Sequence, residues 1–360
     1  MRPSLHTGVP GMVKKTWLVA ALVCSLSSPV MVMAAQNADV GRLASRTYTR
    51  PPLRDIALPD HAHPEGVVFD AAGNLYVTSM GRGAVYRIRP GEDRAEPFIA
   101  PGSAGLMGAQ GGRIDQARGL LYVCSSHNGA NPDAVRGPSA LKAFSLVDGS
   151  PRGSWDLPGG ASAYCNDMVV LPSGAVLVTD SLNPEILVLR PGSKKLDVWL
   201  SHPRFAGKSY ALNNMALEAD GRTLYVGKLD SGELLRIRLT KDERPSGDPE
   251  SIKLPRRIDD PDGMALVAPG KMLICEASVE ANRGRVSLLE IHGDRATLAP
   301  VVENAGLAVP TGVAIRDGQV YVAESQVAPL FVPERRKEGL KPFVVRRFAL
   351  PADIAAEAAH

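Results

Sequence analysis

Cysteine is scarce, with four in 360 residues, Cys24, Cys124, Cys165 and Cys275. The last three are 41 and 110 residues apart, which excludes a local zinc knuckle, and no Cys-x-x-Cys occurs. Each of these three sits in or beside an apolar run, so the expectation is buried free thiols, with one disulfide of undetermined pairing as the other reading. A surplus of charge is missing too. Lys and Arg number 41 against 38 Asp and Glu, and Arg2, Lys14 and Lys15 lie in the first 34 residues, which hold no acid. The remainder is balanced at 38 against 38, leaving no electrostatic basis for a nucleic acid or an anionic membrane as partner. Long hydrophobic runs are absent: the longest, Trp17 to Leu26, is about half of the ~20 residues a bilayer span needs. There is no G-x-S-x-G and no H-E-x-x-H, so neither a serine-hydrolase elbow nor a zincin is supported.

The opening segment has the order of parts of a secretory signal. Lys14 and Lys15 precede the apolar run, Pro29 breaks it, and Val32-Met33-Ala34 offers small residues for cleavage. Residues 1–34 are therefore expected to be a signal peptide, and the mature chain periplasmic or secreted, with no membrane attachment after cleavage. Leu22-Val23 before Cys24 is a poor lipidation context.

The rest is rich in turn formers, 35 Gly and 29 Pro, with 44% apolar residues to build a core. From residue 64 one pattern recurs six times: an apolar strand, a Gly-containing turn, and a second strand ending in a polar group. The copies are PEGVVFDAAGNLYVTS from Pro64, GGRIDQARGLLYVCS from Gly111, NDMVVLPSGAVLVTD from Asn166, NNMALEADGRTLYVG from Asn213, PDGMALVAPGKMLICEA from Pro261 and PTGVAIRDGQVYVAES from Pro310. Anchors at Glu65, Gly111, Asn166, Asn214, Asp262 and Thr311 give intervals of 46, 55, 48, 48 and 49 residues. Tyr76, Tyr122, Leu177, Tyr225 and Leu273 each follow their anchor by eleven positions, and Tyr321 follows Thr311 by ten. These units read as antiparallel hairpins, and segments such as AVYRIRP from Ala84 and AEPFIA from Ala95 add two further strands to each. Four short strands per period of 40–50 residues is the signature of propeller blades, because one such sheet cannot bury both faces until neighbours stack around an axis. The fold expected is all-β: a six-bladed propeller of four-stranded antiparallel blades over residues 64–349. Residues 35–63 form an N-terminal segment in which Leu43–Leu58 can add a closing strand to the sixth blade, and 350–360 form a tail. Gly105–Gly112 reads as an inter-blade connection and Ala328–Pro342 as a surface loop.

Inner strands of a propeller start at one mouth of the channel, so the anchors converge on the axis. Glu65, Asn166, Asn214 and Asp262 form a set of hard oxygen donors of combined charge −2, which suits Ca²⁺ or another divalent cation better than zinc. Asn213 competes with Asn214 for this role, and Asp167 is expected to point away from the channel. The ends of the second strands return to the same mouth and are expected to line it: Ser79, His127 with Asn128, Asp180, Lys228 with Asp230, Glu276 and Glu324. Asp180, Lys228 and Asp230, with Tyr164, are the candidate substrate-binding residues; His127 and Glu324 are candidates for managing protons.

PEGVVFDAAGNLYVTS, NDMVVLPSGAVLVTD, NNMALEADGRTLYVG and PDGMAL resemble the blades of the gluconolactonase, regucalcin and luciferin-regenerating-enzyme family over nearly all of residues 64–349. The resemblance implies a six-bladed propeller with a channel Ca²⁺ held by a Glu, two Asn and an Asp, here Glu65, Asn166, Asn214 and Asp262. It implies hydrolysis of a lactone or related ester, with Asp262 as base or nucleophile. Family members carry an Arg two residues before the first Asn ligand, where this chain has Tyr164. Tyr164 and Met168 point to a less polar substrate than a sugar lactone. The leading expectation is an exported calcium-dependent hydrolase of a small molecule; the alternative is a non-catalytic propeller that binds a ligand or protein partner and uses calcium structurally.

Overall fold

The computed structural model describes residues 53–358. The signal peptide expected at 1–34, Cys24 and the first part of the 35–63 segment lie outside the described residues. What is described is a six-bladed β-propeller made of six four-stranded antiparallel sheets. The inner and second strands of blades 1 to 6 are Pro64–Phe69 with Leu75–Ser79, Ala109–Asp115 with Leu120–Ser125, Cys165–Val170 with Val176–Asp180, Leu212–Leu217 with Thr223–Lys228, Pro261–Ala268 with Lys271–Glu276, and Pro310–Arg316 with Gln319–Glu324.

Alternation along the second strands explains why blades stack. Leu75 and Val77 face blade 6, while Tyr76 on the same strand faces blade 2; Leu121 and Val123 face blade 1, while Tyr122 and Cys124 face blade 3. A strand apolar on both faces must be covered on both. Six separate apolar clusters result, one at each junction between neighbouring blades.

The ring is closed by the start of the described chain. Ile56–Ala57 pairs antiparallel with Val344–Ala349, the third strand of blade 6, in the register Ile56↔Val345. The ends of the ring are thereby joined through one sheet.

Cysteine chemistry differs from the expectation. Cys124 and Cys165 form a disulfide, and among the described cysteines Cys275 is free and buried. The bridge ties the second strand of blade 2 to the first residue of the inner strand of blade 3. It closes a 41-residue span, for which the chain-entropy account gives about 4 kcal/mol. Three smaller differences follow. Ala109–Asp115 is an inner strand, so the second half of the Gly105–Gly112 connection is sheet: Gly111 is needed there because a Cβ would stand 2.6 Å from Asp167 Oδ1. Within 328–342, Ala328–Phe331 is a helical turn with Ala328 buried. In the tail, Ala352–Glu357 is a short helix that packs Ile354 on the apolar cluster between blades 5 and 6. No helix among the described residues is long and apolar enough to cross a membrane.

Candidate metal centre at the channel mouth

Each inner strand carries a bulge at its start. In blade 1 the ladder runs Pro64↔Ser79 and then Val67↔Val77, three residues against two; the other blades repeat it with Ala109↔Ser125, Cys165↔Asp180, Leu212↔Lys228, Pro261↔Glu276 and Pro310↔Glu324. A bulge of this kind re-aims a side chain. Six times over, it sets the second residue of the inner strand at the mouth: Glu65, Gln110, Asn166, Asn213, Asp262 and Thr311, all buried. In blades 1, 5 and 6 the residue before the leading proline, His63, Asp260 or Val309, has positive φ (39°, 47° and 58°). That conformation costs energy in a non-glycine residue, β-branched Val309 most of all. It sits one peptide upstream of the Pro-Glu, Pro-Asp and Pro-Thr steps and fixes how the strand enters.

The six second residues divide by their partners. Thr311 Oγ1 donates to the carbonyls of Pro64 and Glu65, and Gln110 Nε2 reaches the carbonyls of Gly108 and Ser126 at 3.4 Å. Asn166, Asn213 and Asp262 each keep a buried Oδ1 with no hydrogen-bond partner. A buried acceptor left unmade costs about 1–3 kcal/mol, and three stand at one level of the fold. Burial pushes the Glu65 carboxyl well above its usual range, and the charges of Asp262 and Asp167 push it further. Asp262 is likewise raised by burial and then by Asp167, with the Asn213 side chain and the Gly263 N–H opposing. Two interacting carboxylates and two carboxamide oxygens, short of donors, make a hard all-oxygen set. This set fits a divalent cation of the Ca²⁺ type.

Asn214 is not at this level. The pairings Leu212↔Lys228 and Met215↔Val226 make Asn213 the equivalent of Asn166, and Asn214 that of Asp167. The slip has a simple origin. The hairpins of blades 2 and 4 hold one residue more between Ile114↔Leu121 and Leu217↔Leu224 than those of blades 1, 3 and 5 between Phe69↔Leu75, Val170↔Val176 and Leu266↔Met272. Counting back from the tyrosines therefore lands one residue late, on Asn214 and on Gly111 instead of Gln110. Matching Asn166-Asp167-Met168 to Asn213-Asn214-Met215 would have found it. Asn214 Oδ1 is itself buried without a partner, and its side chain bonds that of Asp167.

The ends of the second strands do other work. Asp180 Oδ1 accepts from the N–H groups of Tyr164, Leu182 and Asn183. Lys228 Nζ donates to Ala206 O at 2.9 Å. Glu324 Oε1 accepts from Ala308 N, and Oε2 lies 3.4 Å from Arg346. Ser79 Oγ donates to Ala62 O, Ser125 Oγ accepts from Met107 N, and Glu276 accepts from Asp259 N. In every blade this residue clamps the connector that feeds the same blade's inner strand. These bonds give Asp180, Lys228 and Glu324 a structural role in holding the connectors. Asp230 Oδ2 accepts from Lys208 N, while its buried Oδ1 has no partner.

His127 makes no hydrogen bond or ion pair among the described residues. Asn128 Nδ2 lies 3.2 Å from Met80 Sδ, and the Asn128 side chain favours the charged form of the Tyr164 hydroxyl. Tyr164 is buried at the mouth, edge-on to Tyr210 at 4.8 Å. Burial, then Tyr210 and the charge of Glu65, hold its hydroxyl well above the usual tyrosine range, so it is a neutral donor. Met168 is fully buried in the core between blades 2 and 3 and is no part of the lining.

A cleft of about 870 Å³ opens on the same face beside blade 5, walled by Arg257, Asp259, Asp260, Arg283, Arg285 and Glu303 among others. None of the four oxygen donors lines it. Its link to them is Asp260, whose charge acts on Asp262. At the other end of the channel an apolar cavity of about 420 Å³ is walled by all six inner strands, with Arg113 its one charged residue.

Fold and site together define a six-bladed propeller with an all-oxygen donor set at one mouth of its channel. The chain belongs to the SMP-30/gluconolactonase/LRE-like family, whose model matches residues 63–301. No curated protein matches the chain. Solved structures similar to it include a calcium-binding regucalcin from Agrobacterium tumefaciens (14% identity, TM-score 0.56, 83% of this chain and 94% of that one) and a luciferin-regenerating enzyme (14%, 0.56, 83% and 93%). A putative gluconolactonase is similar to the same extent (12%, 0.57, 83% and 93%). So is the PQQ-bound aldose sugar dehydrogenase of Streptomyces coelicolor (13%, 0.56, 82% and 96%), and at such identities the likeness is one of fold. Family membership makes this a lactonase-like hydrolase propeller.

Proposed function

We propose that the chain is an exported, calcium-dependent hydrolase that opens a lactone or a related ester of a small molecule at the channel mouth. The observation that carries this is the convergence of Glu65, Asn166, Asn213 and Asp262, with three unpartnered buried acceptors and two carboxylates that nothing fully neutralises. These four residues would hold the cation. When bound, it supplies a Lewis acid that polarises the acyl group. Asp262 takes the proton of the attacking water; the acyl C–O bond breaks, and the same proton passes to the leaving alkoxide, giving the hydroxy acid. Tyr164, held by Asn128 and Tyr210, orients the substrate by donating from its neutral hydroxyl. The charged cleft beside Asp260 supports a substrate with polar substituents, and the burial of Met168 removes one of the two side chains that suggested otherwise.

Export is supported by the order of Lys14-Lys15, apolar run and small residues in the leader, and by the Cys124–Cys165 bridge, which suits an oxidising compartment. The test is turnover of a panel of lactones and carboxylic and phosphoric esters by the purified mature protein, before and after chelation and with Ca²⁺ restored. Activity that chelation abolishes and Ca²⁺ returns is expected; activity indifferent to chelation overturns the metal, and none on any substrate overturns the hydrolase.

A further inference from the structure

Below the four oxygens lies an ion pair that ligates nothing. The third residue of the inner strand is glycine in four blades, because a Cβ would stand 3.1 Å from Gly112 N at Gly66, 2.6 Å from Asp167 Oδ1 at Gly111, 2.6 Å from Thr311 O at Gly263 and 2.2 Å from Glu65 O at Gly312. The space belongs to the next blade. Blades 3 and 4 instead carry Asp167 and Asn214. Asp167 is wedged between Gly111 of blade 2 and the inner strand of blade 4, where its Oδ2 accepts from Met215 N at 3.0 Å. It is buried, and its charge acts on both Glu65 and Asp262.

The fifth residues, paired with Tyr76, Tyr122, Leu177, Tyr225, Leu273 and Tyr321, are Val68, Arg113, Val169, Ala216, Ala265 and Ala314. Five are small and apolar, and one is arginine. Arg113 Nη2 lies 3.6 Å from Asp167 Oδ2, and its Nε donates to Met168 O at 3.1 Å. The guanidinium thus roofs the apolar cavity and faces the acidic mouth from beneath. Among the first five residues of the six inner strands the charged side chains are Glu65, Asp167 and Asp262 against half-buried Arg113, a formal sum of −2 with all three carboxylates ionised, as a bound cation would require. Asp260, on the rim, is half-buried and bonded to Val279 N.

We propose that Arg113 is a built-in counter-charge that holds the mouth at −2, through its pairing with Asp167, and so sets its preference for a divalent over a trivalent cation. This rests on the cation site proposed above. Without Arg113 the sum is −3, and each added unit of ligand charge is then rewarded by one more unit of field.

The experiment measures dissociation constants for Ca²⁺ and Tb³⁺, by calorimetry and by terbium luminescence, in the purified mature protein and four variants. Arg113→Met is expected to raise the preference for Tb³⁺ over Ca²⁺ roughly tenfold. Asp167→Asn should lower it by a similar factor, Arg113→Lys should leave it unchanged, and the double variant Arg113→Met/Asp167→Asn should return it to that of the parent. A ratio that stays constant across the two single variants, or a double variant that matches either single one, overturns the proposal. Thermal melts accompany each variant; if Arg113→Met does not fold, Asp167→Asn carries the test with the opposite sign. A parent that binds neither ion overturns the cation site itself, a result distinct from ions that bind with an unmoved ratio.

Discussion

Two rings of residues meet at the same mouth, and they behave differently. One is made of the second residues of the inner strands, the other of the last residues of the second strands. Both recur once per blade. In the outer ring each residue bonds the connector behind it: Asp180 accepts from Tyr164 N, Lys228 donates to Ala206 O, and Glu324 accepts from Ala308 N. In the inner ring the oxygens of Asn166, Asn213 and Asp262 have nothing to bond. Polarity in register is common to both, so polarity alone does not mark function. Unmet demand shared by three blades at one level is the stronger mark, since single orphans such as Asp230 Oδ1 also occur elsewhere.

The largest test of this contrast is Asp262→Asn, which keeps the size of the side chain and removes the charge. Turnover is expected to fall roughly 1,000-fold, within the range general-base catalysis supplies, while the melting temperature of the cation-free protein holds or rises because an uncompensated buried charge is gone. A matching loss of folding stability would return Asp262 to the structural ring.

Glu276 is the opposite case. Burial raises its pKa, but hydrogen bonds from Arg256, Arg285 and Ser287 outweigh burial and hold it at about 2. Folded pKa below unfolded pKa means that the stabilisation is complete above the ordinary glutamate range and is lost as pH falls from there through about 2. Glu276→Gln should cost about 3 kcal/mol at neutral pH and flatten this acid limb in urea melts, with the cation affinity of the folded protein unmoved.

Within the inner ring, Asn213→Ala should weaken Ca²⁺ binding by about 1–2 kcal/mol, roughly tenfold in calorimetry, and more than Asn214→Ala does. Equal losses would mean that the bulge does not separate the two levels. The smallest effect is expected of His127→Ala, whose side chain bonds to nothing described: steady-state rates should change less than twofold, and a larger fall would put the imidazole in the proton path.

Much of this architecture was legible beforehand. Six copies with alternating apolar residues dictate hairpins, hairpins with two buried faces dictate stacking, and the blade count follows from the copies. Glu65, Asn166 and Asp262 were legible for the same reason, since a repeat that aligns strands aligns their first residues. The fourth residue of the inner ring, Asn213, lies one position from the anchor Asn214 because hairpin turns vary in length without disturbing the strands they join. The connector bonds of the rim were not legible, because Asp180 or Glu324 looks the same in sequence whether its carboxylate faces a substrate or the backbone amide of a connector.

The scarcity of cysteine gives the same division in miniature. Sequence excluded a metal knuckle and a redox pair, since both are matters of spacing. That Cys124 meets Cys165 while Cys275 stays alone was decided by which blades are neighbours. Local order, periodicity and the supply of oxygen donors belong to the sequence, because each depends on residues near one another in the chain. Which donors are left unpartnered, which carboxylates share a buried space and where Arg113 lies beneath them belong to the tertiary structure, because they depend on distances between blades that only closure of the ring sets.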